Sequence, residues 1–241
     1  MCTVSWIIQP DHLEFCCNRD EFKERGAALP PQQATRQGVP YIAPIDSQAG
    51  GTWLAVNEHG LIATLLNHYP DPAYTPPLPH SRGELPMKLM ACCSLEDAQA
   101  TLLEENLSVF PPFYLITLMP NSQPRQATWD GRELAFSQPD FPVGCQTSSS
   151  YNHQEVSAYR KALSQPLVGH PDPGAGQLLH YHLFPEPQQE QHAVRVERAQ
   201  TQTVSVSHIT ITPDEIRFAY RDRPPFLTGP DFSCSLSRAH A

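Results

Sequence analysis

Residues 1–24 read MCTVSWIIQPDHLEFCCNRDEFKE, and this stretch predicts the hairpin around which the fold is built. Residues 3–9 and 13–17 are rich in β-branched and aromatic side chains, which favour strands. The Pro-Asp-His sequence at 10–12 is typical of a turn. The two strands are therefore expected to pair as an antiparallel hairpin.

The predicted hairpin brings a thiol, a cation and a carboxylate together at one strand end. With the turn centred near Asp11, residues equidistant from the turn lie opposite each other. Cys2 is then expected to face Asp20, with Asn18 and Arg19 alongside. Arg19 would lower the pKa of the thiol or hold substrate, because a nearby cation stabilises the thiolate.

Cys2 also has the position of an N-terminal nucleophile. Removal of Met1, which a small second residue permits, would give Cys2 a free α-amine. Such an amine has a pKa of about 8, so it can accept the thiol proton as a general base. Asp20 would orient that amine. The alternative is that Cys2 is an ordinary second residue and that Arg19 and Asp20 form a surface ion pair of little energetic worth.

Short motifs that follow one another in order extend this reading over about the first 85 residues. They are Met1-Cys2, Cys17-Asn18-Arg19-Asp20-Glu21, Gly50-Gly51-Thr52-Trp53-Leu54, Gly60, Leu66-Asn67 and Ser81-Arg82-Gly83-Glu84-Leu85. Together they resemble the NRDE family, also named for transport and Golgi organisation protein 2. That family is in turn similar to N-terminal nucleophile hydrolases of the penicillin V acylase and bile salt hydrolase kind.

The resemblance implies an α+β fold formed by residues 1–241 as one domain. The expected architecture is a four-layer αββα sandwich, in which two mainly antiparallel sheets stack between helix layers. It also implies that Cys2 is the nucleophile and that Arg19 and Asp20 fix Cys2 and its amine.

A second hairpin is predicted from residues 52–67, with its turn at 57–60. Equidistance from that turn puts Asn67 opposite Gly50 and Gly51, where an amide and bare backbone can both donate hydrogen bonds. The resemblance assigns Asn67 to an oxyanion hole. The alternative is that Asn67 caps the next turn.

Other polar residues complete the candidate site. Arg82 could bind a substrate carboxylate, or it could cap a helix or pair at the surface. Many family members have Leu-Ser-Asn before a helix where this chain has Thr-Ser-Ser-Ser at 147–150, so Ser148 or Ser149 would have to supply the oxyanion donor. The candidate binding residues are Asn18, Glu21, Gly50, Gly51, Arg82, Ser148 and Ser149.

Composition narrows the functional classes. The chain has 241 residues, a net charge of −9 and no block of Lys or Arg, which argues against nucleic acid or an anionic membrane as a partner. No run approaches the roughly 20 apolar residues of a membrane span, and the N-terminus lacks the pattern of a signal peptide. Seven cysteines, two pairs of them adjacent, indicate a reduced, cytoplasmic protein. The scattered histidines lack metal-ligand spacing, so no metal site is predicted.

The rest of the chain predicts helices between two groups of strands. Residues 22–31 are expected to form a loop, 39–45 an edge strand or irregular segment, and the tail after Arg223 to be loosely held. Further strands are predicted at 113–119, 126–130, 133–137, 141–147, 202–211 with a bulge near Ser207-His208, and 216–220. Helices are predicted from 81, at 94–106, at 150–163 with Ser150 as N-cap, and at 178–184.

Two functions from different classes fit these observations. The first is a cysteine amidohydrolase or acyltransferase that acts on a small amide or thioester and needs no cofactor. The second is a non-catalytic carrier of haem or a lipid or acyl ligand, because the family has been linked to haem and lipid handling. A haem carrier would need an axial ligand, for which Cys2, His68 or His80 could serve.

Overall fold

Two antiparallel sheets form the centre of the molecule. The computed structural model describes residues 2–70, 80–169, 174–184, 191–226 and 229–239. Within these residues one sheet has six strands and the other has seven.

Apart from two strands that were not predicted, at 29–36 and 232–237, the strands and helices follow the predicted order. In chain order the strands are β1 (Cys2–Ile8), β2 (Leu13–Phe22), β3 (Leu29–Arg36), β4 (Val39–Ile45), β5 (Leu54–Asn57), β6 (Ile62–Asn67), β7 (Phe113–Leu118), β8 (Arg125–Trp129), β9 (Leu134–Ser137), β10 (Val143–Ser148), β11 (Thr201–Ile211), β12 (Glu215–Asp222) and β13 (Phe232–Ser237). The α-helices are α1 (Glu84–Lys88), α2 (Leu95–Leu103), α3 (His153–Gly169) and α4 (Ala175–Leu183), and short 3-10 helices occupy Leu89–Ala91 and Leu107–Val109. The first sheet has the order β10-β1-β2-β11-β12-β13, and the second has β3 to β9 in sequence.

Three clusters of buried apolar residues hold the two sheets and the two helix layers together. Between the sheets, Trp6, Leu54 and Phe218 are fully buried in one shared cluster. The outer face of the second sheet packs against α1 and α2, and the outer face of the first sheet packs against α3 and α4. This arrangement confirms the predicted α+β fold with an αββα sandwich.

The first hairpin forms as predicted, but its register differs by one residue. The backbone N–H of Gln9 donates to the carbonyl of His12 (2.8 Å), so the hairpin is centred between Pro10 and Asp11 rather than on Asp11. Cys2 consequently pairs with Arg19 and not with Asp20. Because side chains alternate between faces, this shift moves Asp20 to the face opposite Cys2.

The predicted edge of the second sheet was wrong. β3 begins at the end of the loop expected at 22–31 and forms the edge, whereas β4 is an inner strand. β4 accommodates its prolines because it pairs with β5 only through Tyr41 and Ile42, and Pro44 falls at a register shift between β3 and β4.

The predicted bulge near Ser207-His208 was also wrong. β11 is one strand, and its register against β2 shifts earlier, between Thr203 and Ser205. Val206 and Ile209 are both fully buried. Both faces of this strand are covered, so apolar residues on opposite faces require no bulge.

Helix and strand ends account for the remaining differences. Ser94 caps α2 as predicted, accepting the backbone N–H of Asp97 (3.0 Å). α3 begins at His153 and not directly after Ser150. In the segment expected to be a loose tail, β13 pairs with β12.

Candidate active site

A cavity of about 260 Å³ opens where β1 begins and β2 ends. Its walls come from these two strands, from the loop before β5, from the end of β6 and from the turn before α1. It is lined by Cys2, Arg19, Asp20, Glu21, Phe22, Arg25, Asp46, Ala49, Gly51, Thr52, Trp53, Leu65, Asn67, Ser81, Arg82 and Gly83. Most of the motif residues singled out in the sequence therefore meet at one place.

The thiol of Cys2 is buried at this cavity, with 7% of the residue exposed. Its strand is held on both sides, since Cys2 pairs with Arg19 of β2 and with Ser148 of β10. A hydrogen bond from the Cys17 thiol lowers the pKa of Cys2, against the opposing effect of burial, and Arg19 lowers it further. The same contact and burial raise the pKa of Cys17 well above its usual value. Of the two thiols, Cys2 is therefore the one whose pKa is lowered and the better candidate for a nucleophile.

Arg19 is held in a fixed position beside Cys2. Its guanidinium donates to the carboxylate of Asp46 (2.6 Å) and stacks over the ring of Trp53 (4.4 Å to the centroid). The other oxygen of Asp46 accepts the backbone N–H groups of Gln48 and Ala49 (3.0 Å each). The loop at 46–49 thus fixes the carboxylate of Asp46, which in turn fixes the guanidinium of Arg19.

Asp20 lies on the outer face of the first sheet, next to the strand end of Cys2. Its Oδ1 accepts the hydroxyl of Thr203 (2.7 Å), and its Oδ2 lies 3.9 Å from the guanidinium of Arg160. Burial raises the pKa of Asp20, while Arg160 and the Thr203 hydrogen bond oppose that rise. The carboxylate is buried and lies within electrostatic reach of Cys2.

Arg160 of α3 reaches this face as a fully buried cation. It donates to the hydroxyls of Thr3 (2.6 Å) and Thr147 (2.8 Å) and to the carbonyls of His192 (3.0 Å) and Ala193 (2.7 Å). Each guanidinium nitrogen therefore has a partner. Arg160 ties α3 to β1, the strand that carries Cys2, and to the neighbouring β10, and it places positive charge behind Asp20.

A backbone contact joins two of the motifs. The N–H of Thr52 donates to the carbonyl of Gly83 (3.0 Å). A Cβ atom on Gly51 would lie 2.6 Å from the Gly83 carbonyl carbon, and one on Gly83 would lie 2.9 Å from the Thr52 nitrogen. Both positions therefore need glycine, and the contact fixes the segment that carries Arg82 against the cavity wall.

The motifs and their arrangement agree with comparison to known proteins. The family model for Transport and Golgi organisation 2 (TANGO2) matches residues 1–166. The chain belongs to the TANGO2 family. This confirms the family resemblance drawn from the motifs. Among curated proteins, none matches the chain by sequence.

Solved structures share the fold of this TANGO2-family chain. Penicillin V acylase from Agrobacterium tumefaciens is 13% identical over 98% of this chain and 90% of that chain, with a TM-score of 0.58. An N-acylethanolamine-hydrolyzing acid amidase orthologue from Caenorhabditis elegans is 10% identical over 87% and 92%, with a TM-score of 0.60. A variant of conjugated bile acid hydrolase from Clostridium perfringens is 11% identical over 98% and 92%, with a TM-score of 0.55. These similarities confirm the N-terminal nucleophile hydrolase fold.

Asn67 lines the cavity. The side-chain amide donates to the hydroxyl of Tyr69 (3.2 Å), and the backbone carbonyl accepts the hydroxyl of Ser148. The N–H of Leu65 donates to the carbonyl of Trp53 (2.8 Å), which continues the hairpin toward Gly51 and Asn67. The structure therefore brings Asn67 to the same cavity as Cys2.

Several predicted binding residues do not line the cavity. Ser148 and Ser149 are buried outside it, and the Ser149 hydroxyl donates to the carbonyl of Tyr151 (2.6 Å). Gly50 has φ +70° and shapes the loop next to Gly51. Glu21 does line the cavity, close to Arg19 and Arg25.

Asn18 belongs to a buried polar cluster on the outer face of the first sheet. Its amide donates to the carbonyls of His182 (3.0 Å) and Val194 (3.2 Å), so its oxygen accepts from Nδ1 of His182 (2.8 Å). Nε2 of His182 then accepts the hydroxyl of Ser5 (2.6 Å). All three side chains are fully buried, so this cluster holds α4 on the sheet and is closed to substrate.

The proposed axial ligands of the haem alternative are dispersed. His68 packs against Tyr114 (4.5 Å between ring centroids), and His80 lies 3.2 Å from the carboxylate of Glu84. Neither lines the cavity with Cys2. Within the described ranges, no cluster of three His, Cys, Asp or Glu side chains could hold a metal, and no helix is long and apolar enough to cross a membrane.

Sequence reasoning missed residues that support the site. They are Cys17, Arg25, Asp46, Trp53, Arg160 and Thr203. A signal existed for four of them, because Cys17 and Trp53 already stand in the family motifs. Asp46 starts an Asp-Ser-Gln loop, where an Asx turn is common. Arg160 lies at the inward helical spacing from Val156, where a cation needs a buried partner.

Proposed function

We propose that this protein is an N-terminal cysteine amidohydrolase or acyltransferase that acts on a small acyl amide or thioester. The observation that carries the proposal is the setting of Cys2. Its thiol lies at a cavity, and the hydrogen bond from Cys17 and the charge of the adjacent Arg19 both lower its pKa. A thiolate stabilised in this way is a strong nucleophile.

The reaction begins with Cys2 as the first residue of the mature chain; Met1 itself lies outside the described residues. The α-amine of Cys2 takes the thiol proton, and the sulfur attacks the substrate carbonyl carbon to form a C–S bond. The protonated amine then returns its proton to the leaving nitrogen or sulfur as the bond to it breaks. Water attacks the resulting thioester, releases the acid and restores the thiol; a second acceptor in place of water would give acyl transfer.

Asn67 supports the oxyanion step of this mechanism. Its side-chain amide is at the cavity, and it holds the hydroxyl of Tyr69 in a position that a substrate oxygen would take over. With a backbone N–H it would stabilise the oxyanion, an effect worth about 3 kcal/mol per donor.

Arg19 and Asp20 position the nucleophile. Arg19 is fixed by Asp46, so its charge stays beside the sulfur during the reaction. Asp20 lies one residue beyond the Cys2–Arg19 pair, at the strand end that carries the Cys2 backbone nitrogen. Its buried carboxylate would hold the ammonium form of that nitrogen.

Similar folds carry related chemistry in other proteins. By their names, the similar structures are an acylase, an acid amidase and a bile acid hydrolase. Their identity to this chain of 10–13% supports only a common fold, so the acyl-amide class comes to this chain as a proposal. All seven cysteines are free, which fits a reducing compartment, and we propose the cytoplasm.

Mass spectrometry of the intact protein tests the proposal. The purified protein is weighed before and after brief treatment with a low dose of iodoacetamide, alongside Cys2→Ala and Cys93→Ala, the latter removing an exposed thiol. We expect loss of one Met and fast single labelling that disappears in Cys2→Ala and persists in Cys93→Ala. An intact Met1, or labelling of Cys2 no faster than of Cys93, would contradict the mechanism and favour a non-catalytic carrier.

A further inference from the structure

Among the described residues, the charged side chains around the cavity are paired except for Arg82. Arg19 and Arg25 both contact the carboxylate of Asp46 (2.6 and 2.9 Å), and Glu21 lies near both (3.9 and 3.7 Å). Arg82 lines the same cavity and forms no ion pair with any carboxylate in the part of the chain that the structure describes.

Arg82 is held in place by its backbone and by one guanidinium nitrogen. That nitrogen, Nη1, donates to the carbonyl of Pro112 (2.9 Å). The neighbouring Gly83 packs against Gly51 and Thr52, which fixes the origin of the side chain. The other guanidinium N–H groups have no partner among the residues that the structure describes, so within that part of the chain they can bind a ligand.

The cation is half-buried and electrostatically coupled to the nucleophile. Burial lowers the pKa of Arg82, and the nearby Tyr69, Cys2 and Glu21 oppose that effect. A half-buried cation without a carboxylate partner is unfavourable, and an anion that enters the cavity removes that penalty. The guanidinium presents a planar fork of donors that matches a carboxylate.

We infer that Arg82 binds a carboxylate carried by the substrate, so that the protein acts on small acyl amides or thioesters that bear a second, anionic group. The inference rests on the proposed function of Cys2. One end of the cavity holds the reacting carbonyl at Cys2, and another holds the carboxylate at Arg82. A volume of about 260 Å³ restricts such substrates to small molecules.

Charged and neutral alkylating reagents test this inference without knowledge of the substrate. Iodoacetate and 3-iodopropionate carry a carboxylate at two distances from the reacting carbon, and iodoacetamide and 3-iodopropanamide are their neutral counterparts. The rate of labelling at Cys2 is measured by mass for each reagent. Each anion-to-amide ratio is divided by the same ratio for glutathione, which removes the intrinsic reactivity of the reagents.

The comparison uses matched variants. We expect a normalised ratio above one in the wild type for at least one reagent pair, and a fall of about tenfold in Arg82→Gln, as for a lost charge-assisted hydrogen bond. Arg25→Gln removes a positive charge from the same cavity but from a paired residue, and should change the ratio less than about twofold. Arg82→Lys keeps the charge and should retain most of the preference for the anionic reagents. If it does, the loss in Arg82→Gln comes from the missing charge and not from misfolding.

The outcomes separate this inference from the function on which it rests. If both neutral reagents label Cys2 rapidly and Arg82→Gln leaves every ratio unchanged, the carboxylate site is overturned and the nucleophile stands. An equal fall in Arg25→Gln would mean general attraction of anions and would also overturn the site. If Cys2 reacts with none of the reagents, the proposed function fails and the carboxylate site fails with it.

Discussion

Cys2 and Cys17 lie on the same face of the first sheet, and a hydrogen bond joins their thiols. Cys17 is opposite Val4, two residues along β1 from Cys2, so the contact is a diagonal one between paired strands. This contact and burial raise the pKa of Cys17 well above its usual value, whereas the same contact lowers the pKa of Cys2. The second cysteine thus serves as the hydrogen-bond donor to the first.

Loss of that donor should raise the pKa of Cys2. Cys17→Ala removes the interaction that lowers the pKa most, so the thiolate fraction at neutral pH should fall. The pH profile of iodoacetamide labelling at Cys2 should consequently move to higher pH. Cys16→Ala is the control, because Cys16 is equally buried but faces away from Cys2; a shift of the same size in both variants would contradict the assignment.

Arg160→Met should strongly destabilise the protein. It removes a fully buried cation that donates to four groups and leaves the buried carboxylate of Asp20 without it. We expect the free energy of unfolding in urea to fall by about 3–5 kcal/mol. Arg217→Gln, which breaks an exposed ion pair with Glu215, should change it by less than about 0.5 kcal/mol. Similar losses in both variants would refute the structural role of Arg160.

Gly51→Ala should also destabilise the protein, for a steric reason. The new Cβ would lie 2.6 Å from backbone of Gly83, which cannot move aside as a flexible side chain could. Crowding of this kind costs about 1–3 kcal/mol in the free energy of unfolding. Gly176→Ala is a matched control: nothing lies within 4 Å of its Cβ, and it lies in the first turn of α4, where alanine is a better helix former than glycine, so stability should rise by up to about 1 kcal/mol. Equal effects at the two positions would argue against the close contact.

His182 should make stability depend on pH. Burial, with His208 and Arg160 nearby, lowers its pKa to about 3 from the usual 6.5. Between pH 3 and pH 6.5 this histidine is protonated in the unfolded chain but not in the folded chain. The free energy of unfolding therefore falls as the pH falls through this range, by about 1.4 kcal/mol per pH unit. In His182→Gln this part of the slope between pH 6 and 4 should disappear.

The control for this pH dependence is on the same helix. His180 is exposed, so His180→Gln should keep the wild-type slope of unfolding free energy against pH. Comparison of slopes between variants cancels the contributions of the carboxylates. A wild-type slope in His182→Gln would mean that the buried histidine titrates normally.

Local patterns predicted much of the fold because strand and helix periodicities are local properties. The β-branched residues of the first hairpin predicted both strands, and Ser94 predicted the start of α2. The register was wrong by one residue because it depends on one turn hydrogen bond, between Gln9 and His12, that composition does not specify. That single residue decides which face carries Asp20.

The site was only partly predictable because its supporting contacts join distant segments. Asp46 meets Arg19 across 27 positions, and Arg160 meets Thr3 across 157. No local pattern encodes such pairs. Asn18 shows the opposite error: its place in a motif suggested ligand binding, but the pleat of β2 turns it toward His182 and away from the cavity.

The position of β1 between β2 and β10 also sets an order of events during protein synthesis. Ser148, which pairs with Cys2, is made only after more than half of the chain has left the ribosome. Until then the first strand has one open edge. Once β10 has closed that edge, Cys2 is 93% buried. The proposed nucleophile therefore reaches its buried setting only after most of the chain has been made.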